Sequence, residues 1–92
     1  MEIGTTIRGI RKSRGITQLE LAMRIGLSKN AVSLIEKNET FPHKATIDRI
    51  CTALNTSSSV LFLLSCDDYG IPKHKVDQFN ALKKLMIQLI KE

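Results

Sequence analysis

Two histidines, His43 and His74, and two cysteines, Cys51 and Cys66, are the residues of this chain best suited to nucleophilic, acid–base or metal chemistry. None stands in a pattern that such chemistry needs. Both histidines fall in polar, loop-like stretches with no Cys, Ser or carboxylate constellation around them. There is no CxxC or Cys/His cluster for a metal, no glycine-rich phosphate cradle, and no carboxylate pair in an apolar frame. The sequence therefore argues against an enzyme, a metal site or a cofactor. What it does offer is charge. Between Arg8 and Lys37 lie seven basic residues (Arg8, Arg11, Lys12, Arg14, Arg24, Lys29, Lys37) and two acidic ones (Glu20, Glu36), a balance of +5. The whole chain is also +5, so the remaining segments sum to zero. Positive charge gathered on one stretch is the footprint of a polyanionic partner, and composition alone leaves nucleic acid and an anionic membrane surface both open.

Ninety-two residues make one domain, and a core of that size buries only about two-thirds of the unfolded surface. A partner subunit would relieve the shortage. No apolar run approaches the ~20 residues needed to span a membrane, and no signal peptide is visible after Met1, so a cytoplasmic protein is expected. Cys51 and Cys66, in apolar surroundings, then read as buried reduced thiols, with a disulfide or redox switch as the alternative.

The charged stretch surrounds two short helices and a turn. Thr17 and Glu20 open the first as a capping box, each able to bond the other's backbone amide. Leu21, Ala22 and Ile25 recur at helical spacing, and Gly26 breaks the run by supplying a left-handed residue. Ser28 caps a second helix with Ala31, Val32 and Ile35 on its apolar side, ended by Asn38. Ahead of this pair, Ile3, Ile7 and Ile10 give the stripe of a helix from about Gly4 to Ser13, stopped by Gly15. After it, Glu39 to Lys44 is a loop around Phe41 and Pro42. A fourth helix begins at Thr46 or just before, with Ile47, Ile50, Cys51 and Leu54 at i, i+3, i+4 and i+7 and a stop at Asn55.

Ser57, Ser58 and Ser59 offer caps for a short fifth helix whose run Val60 to Leu64 is apolar on every side. One face can pack on the domain; the other is expected to meet a second copy, with complete burial in the core as the alternative. Residues 67–73 read as a linker separating a domain over 1–66 from a C-terminal amphipathic helix over 74–92. In that helix Phe79, Leu82, Met86 and Leu89 follow a 3-4-3 spacing, about two heptads of an a/d seam. Two heptads are too short to stand alone, so the helix docks on its own domain, its twin or another protein. Self-association is the favoured expectation, and the interface residues are Val60, Leu61, Leu64, Phe79, Leu82, Met86 and Leu89. A basic amphipathic helix can also lie on a membrane, but the absence of Trp speaks against that.

The stretches IRGIRKSRGITQLELAMRIGLSKNAVSLIEKNETFP and IDRICTALNTSSSVLF, from Ile7 to Leu61, resemble the phage-repressor (Cro/cI-like, lambda-repressor-like) helix-turn-helix family. The specific marks are Thr17-Gln18 at the opening of the second helix, the small Ala22 where two helices cross, Gly26 in the turn, and Val32 and Ile35 in the core. Glu36, Asn38 and Pro42 follow at the expected places. Asn38 stands where glycine is usual, and Leu34 where a polar residue is usual. The resemblance implies an all-α fold of five helices, here with the C-terminal amphipathic helix added.

It also implies a function and a site. The third helix would enter the major groove of double-stranded DNA, with Ser28, Lys29, Asn30, Ser33 and Leu34 as base contacts. Lys29 suits guanine and Asn30 adenine; Leu34 either packs on a thymine methyl or closes the edge of the core. Thr17, Gln18, Asn38, Thr40, His43 and Lys44 would contact phosphates, with Lys12 and Arg14 adding only diffuse attraction. Arg11 matches the arginine that pairs with Glu36. The reading is a homodimeric, sequence-specific transcriptional regulator on a near-palindromic operator. Its rivals are an antitoxin-type repressor whose C-terminal helix holds a toxin, and a protein-interaction module on the same fold.

Overall fold

The computed structural model describes residues 2–67 and 70–91, with side chains through residue 88. Five helices form the domain: α1 (Ile3–Ser13), α2 (Gln18–Ile25), α3 (Lys29–Glu36), α4 (Lys44–Ala53) and α5 (Ser58–Ser65). A 3₁₀ turn over Lys73–Lys75 leads into α6 (Val76–Lys91). All regular structure among the described residues is helical, as the apolar periodicities predict.

Local chemistry sets the boundaries. Thr17 Oγ1 accepts from the Glu20 amide at 3.1 Å while the Thr17 amide donates to Glu20 Oε1 at 3.3 Å, completing the capping box. Ser28 and Ser57 cap α3 and α5 in the simpler way, each hydroxyl accepting an amide three residues on. Gly26 closes α2 at φ 73°, and Asn38 and Asn55 take φ of 62° and 55° beyond α3 and α4. Asparagine tolerates that region because its short polar side chain can bond locally.

The core gathers one stripe from each helix: Ile3, Ile7 and Ile10, then Leu21, Ala22 and Ile25, Val32 and Ile35, Ile47, Ile50 and Cys51, with Leu54 and Leu61 closing it. Burial, and after it the Asp48 carboxylate, pushes the Cys51 thiol above its ordinary value. A thiol so held is a small apolar side chain and a poor nucleophile. Both cysteines are free.

Three features depart from the sequence reading. Leu61 has no exposed surface, so it belongs to the core and is withdrawn from the expected dimer interface. Nor is the outer side of α5 left for a second copy alone. Val60, Phe62 and Leu64 pack at the edge of the core, and α6 lies across α5. Lys83 on α6 donates to the Cys66 carbonyl at 2.7 Å and stands 5.4 Å above the Phe79 ring. Val76, Phe79 and Met86 are half-buried, whereas Leu82 and Leu85 remain 48% and 59% exposed. The side chain of Leu89 lies outside the described residues, as do Asp68 and Tyr69 of the linker. Arg14, finally, is committed to the fold: its guanidinium donates to the Leu54 and Asn55 carbonyls at 3.0 and 3.3 Å, and Arg24 reaches Ala53 at 3.3 Å. Two cations from other helices thus satisfy the open carbonyls at the end of α4.

The approach of α1 to α3 turns on Gly4, whose importance the sequence did not signal. A Cβ there would collide with the Ile35 carbonyl oxygen and come within 2.7 Å of Asn38 Oδ1. Overpacking a site walled by backbone should make Gly4→Ala less stable by about 1–3 kcal/mol, measured as a lower urea midpoint at unchanged slope. A substitution costing under about 0.5 kcal/mol would show that α1 slides freely on α3.

Candidate nucleic-acid interface

The two-helix unit is locked from behind. Ala22 is buried where α2 and α3 pack together, and the Leu27 amide returns to the Ala22 carbonyl at 3.0 Å across the turn. Beneath, Arg11 Nε and Nη2 donate to the two Glu36 oxygens at 2.7 and 3.0 Å, a forked pair at the expected partners. Its Nη1 donates to the Ile16 carbonyl at 2.7 Å, and Gln18 Nε2 donates to Glu36 Oε1 at 3.0 Å. Both charged side chains are nearly sealed from water, and no buried polar side-chain atom among the described residues lacks a partner. One network therefore ties α1, the α1–α2 loop, the start of α2 and the end of α3.

That network changes the place of Gln18. Expected only as a phosphate contact, it is half-buried and bonded to the ion pair, so any anion it met would be linked to the α1–α3 junction. Asn38 departs further. Its Oδ1 accepts the Gly4 amide at 2.9 Å and its Nδ2 donates to Thr5 Oγ1 at 3.0 Å, capping the start of α1 from the turn that follows α3. With one bond at each end of its amide, Asn38 acts as a structural cap. Thr17 is likewise occupied by its capping box.

Outward, the expected base contacts divide. Ser28, Lys29 and Asn30 are exposed at the first turn of α3; Ser33 and Leu34 are half-buried one turn on. The Ser28 oxygen is already accepting the Ala31 amide, which leaves its hydroxyl free to donate. Beside them a cleft runs between the end of α1 and the start of α2, lined by Lys12, Thr17, Gln18 and Lys29. Of the first-turn amides of α2, that of Glu20 is taken by Thr17; those of Gln18 and Leu19 have no helical partner, and Lys12 and Lys29 line the same cleft. Lys12 is thus nearer a candidate anion site than diffuse attraction implied; only its position beside the paired Arg11 hinted at it. Thr40, His43 and Lys44 are exposed beyond α3, and Lys44 is 3.8 Å from Asp48 in a solvent-exposed pair of little energetic weight.

A family description of helix-turn-helix domains matches residues 7–61. The chain belongs to that helix-turn-helix family. The matched span is the one that carries the phage-repressor resemblance, and relatives agree with it. Antitoxin PezA of Streptococcus pneumoniae is 38% identical over 55 residues, covering 60% of this chain and 35% of the relative. The HTH-type transcriptional regulator SutR of Escherichia coli is 39% identical over 57 residues, covering 62% and 32%. The immunity repressor protein of Bacillus phage phi105 is 33% identical over 61 residues, covering 66% and 42%. The chain therefore aligns with about a third of the first two relatives. In helix-turn-helix terms α2, Gly26 and α3 are the motif, and α1, α4 and α5 its supports. None of the three alignments is long enough to include both the motif and all of α6.

Proposed function

We propose that this chain is a sequence-specific, double-stranded DNA-binding transcriptional regulator that acts as a homodimer on a near-palindromic operator. The observation that carries the reading is the exposed first turn of α3, bearing Ser28, Lys29 and Asn30, on a unit held rigid by the Arg11–Glu36–Gln18 network. In the major groove Lys29 would donate to guanine O6 or N7 and Asn30 would bond adenine at N6 and N7. Lys12, Gln18 and the first-turn amides of α2 would hold one phosphate strand, Thr40, His43 and Lys44 the other. Relatives named as a transcriptional regulator and an immunity repressor support the regulatory part.

One domain makes too few contacts to choose a site, and two related by symmetry double them over half-sites about 34 Å apart. Leu82 and Leu85, exposed on α6, are the surface we assign to the twin, with Val60, Leu64, Phe79 and Met86 behind them. A toxin-like partner on that same surface is the second reading, supported by the relative named as an antitoxin.

The test is selection from randomised duplex DNA at physiological salt, run on wild type and on Leu82→Asp/Leu85→Asp. Wild type should enrich a two-fold motif. The double variant should sediment as a monomer and lose the two-fold pattern. Enrichment of no sequence would sink the DNA-binding reading, whereas a two-fold motif kept by a still-dimeric variant would move the interface and favour another partner for α6.

A further inference from the structure

Phe41 does nothing for the core. It is the most exposed phenylalanine among the described residues, with 64% of its surface open, and it is not part of the buried cluster. Yet the backbone that carries it is firmly held. The Glu39 and Thr40 amides donate to the Leu34 carbonyl at 3.0 and 3.4 Å, so the chain folds back on the last turn of α3. Beyond it Pro42 is buried, and the His43 carbonyl accepts the Ile47 amide at 2.9 Å in the first turn of α4. A ring turned to water on a backbone held on both sides costs little backbone freedom on meeting a partner.

Place and charge say which partner. Thr40, the residue next to Phe41, bonds the carbonyl of Leu34 on the helix assigned to the groove. Lys37, Lys44 and Glu39 are exposed around it, leaving the loop only weakly positive. Beside the phosphate contacts proposed for Thr40, His43 and Lys44, an apolar contact is what the exposed Phe41 ring adds. With α3 in the major groove, the loop would cross the strand that bounds it, beyond which the minor groove, about 6 Å wide, begins. Apolar side chains at that wall pack on deoxyribose or wedge against a base step, and the cost depends on how easily the step deforms. We propose that Phe41 is a DNA-contacting residue at the minor-groove wall flanking each half-site, and that it makes affinity depend on the deformability of the step there. This rests on the DNA-binding reading and adds a reader of shape to its readers of bases.

The experiment compares full-length wild type with Phe41→Ala on a selected operator whose flanking step is either a flexible TA or part of a stiff A-tract. Wild type should prefer the flexible flank by about tenfold; Phe41→Ala should lose about tenfold there and bind both flanks alike. Its salt slope, thermal midpoint and oligomeric state should match wild type, because an exposed ring that touches no phosphate is removed. The proposal is overturned if Phe41→Ala binds within about twofold of wild type on both flanks. It is equally overturned if affinity falls alike on both with a shallower salt slope, the mark of a lost phosphate contact. Unchanged binding with altered transcription would assign Phe41 to a protein partner instead. Should wild type bind no duplex specifically, the DNA-binding reading fails and Phe41 loses its role with it.

Discussion

Replacing Glu36 with alanine should destabilise the domain by about 3–5 kcal/mol, the usual result of leaving a buried charge without its partner. The reason lies in what remains. Arg11, 7% exposed, would keep its guanidinium inside with one acceptor, the Ile16 carbonyl, and Gln18 Nε2 would lose the oxygen it now meets at 3.0 Å. The measurement is urea unfolding, read as a lower midpoint at constant slope. A matched control removes both charges: Arg11→Met with Glu36→Leu should cost far less than either single change, since it leaves no orphan. If Glu36→Ala costs under about 1 kcal/mol, the pair behaves like a surface bridge and cannot be what orients α3.

That pair also shows how far the sequence could be read. Arg11 and Glu36 are 25 positions apart, and no periodicity joins them; the resemblance to a family did. Elements with local causes were legible without it. The capping box of α2, the serine caps, Gly26 in the turn and Asn38 at positive φ all follow from a few adjacent residues and appear where expected. Helix ends moved by no more than about two residues, within the range over which caps and fraying differ.

What was hidden shares one cause: a side chain with two plausible uses. Asn38 looked like a loop polar group free for phosphate, but its amide caps α1 across 34 positions. Gln18 looked like a phosphate ligand and is also the third member of a buried network. Arg14 looked like loose surface charge and closes the end of α4. Leu61 looked like half of an interface because all five residues from Val60 to Leu64 are apolar, and a run with no polar side does not say which side faces in. In each case tertiary neighbours choose between uses that composition leaves equal. Gly4 carried no sequence signal, because a helical glycine of φ below zero has no mark until a neighbouring backbone arrives.

The same reasoning separates residues that hold the motif from those that would read with it, and it makes the second large prediction specific. Lys29→Ala/Asn30→Ala should weaken binding to the selected operator by about 2–6 kcal/mol per half-site, the sum of two base contacts at about 1–3 kcal/mol each. Both side chains are exposed at the start of α3. Removing them should therefore leave the urea midpoint within about 0.5 kcal/mol of wild type. Electrostatics supplies the internal control. If the dimer neutralises about 6–10 phosphates, wild-type affinity should fall by about 10³–10⁵ between 50 and 200 mM salt. Losing Lys29 from each half-site should lower that slope only slightly, while the preference for operator over random duplex collapses. The opposite pattern, a much shallower slope with discrimination intact, would place Lys29 on phosphate and move base readout to Ser28, Ser33 and Leu34. Titration of operator and random duplex across that salt range, on both proteins, decides between the two.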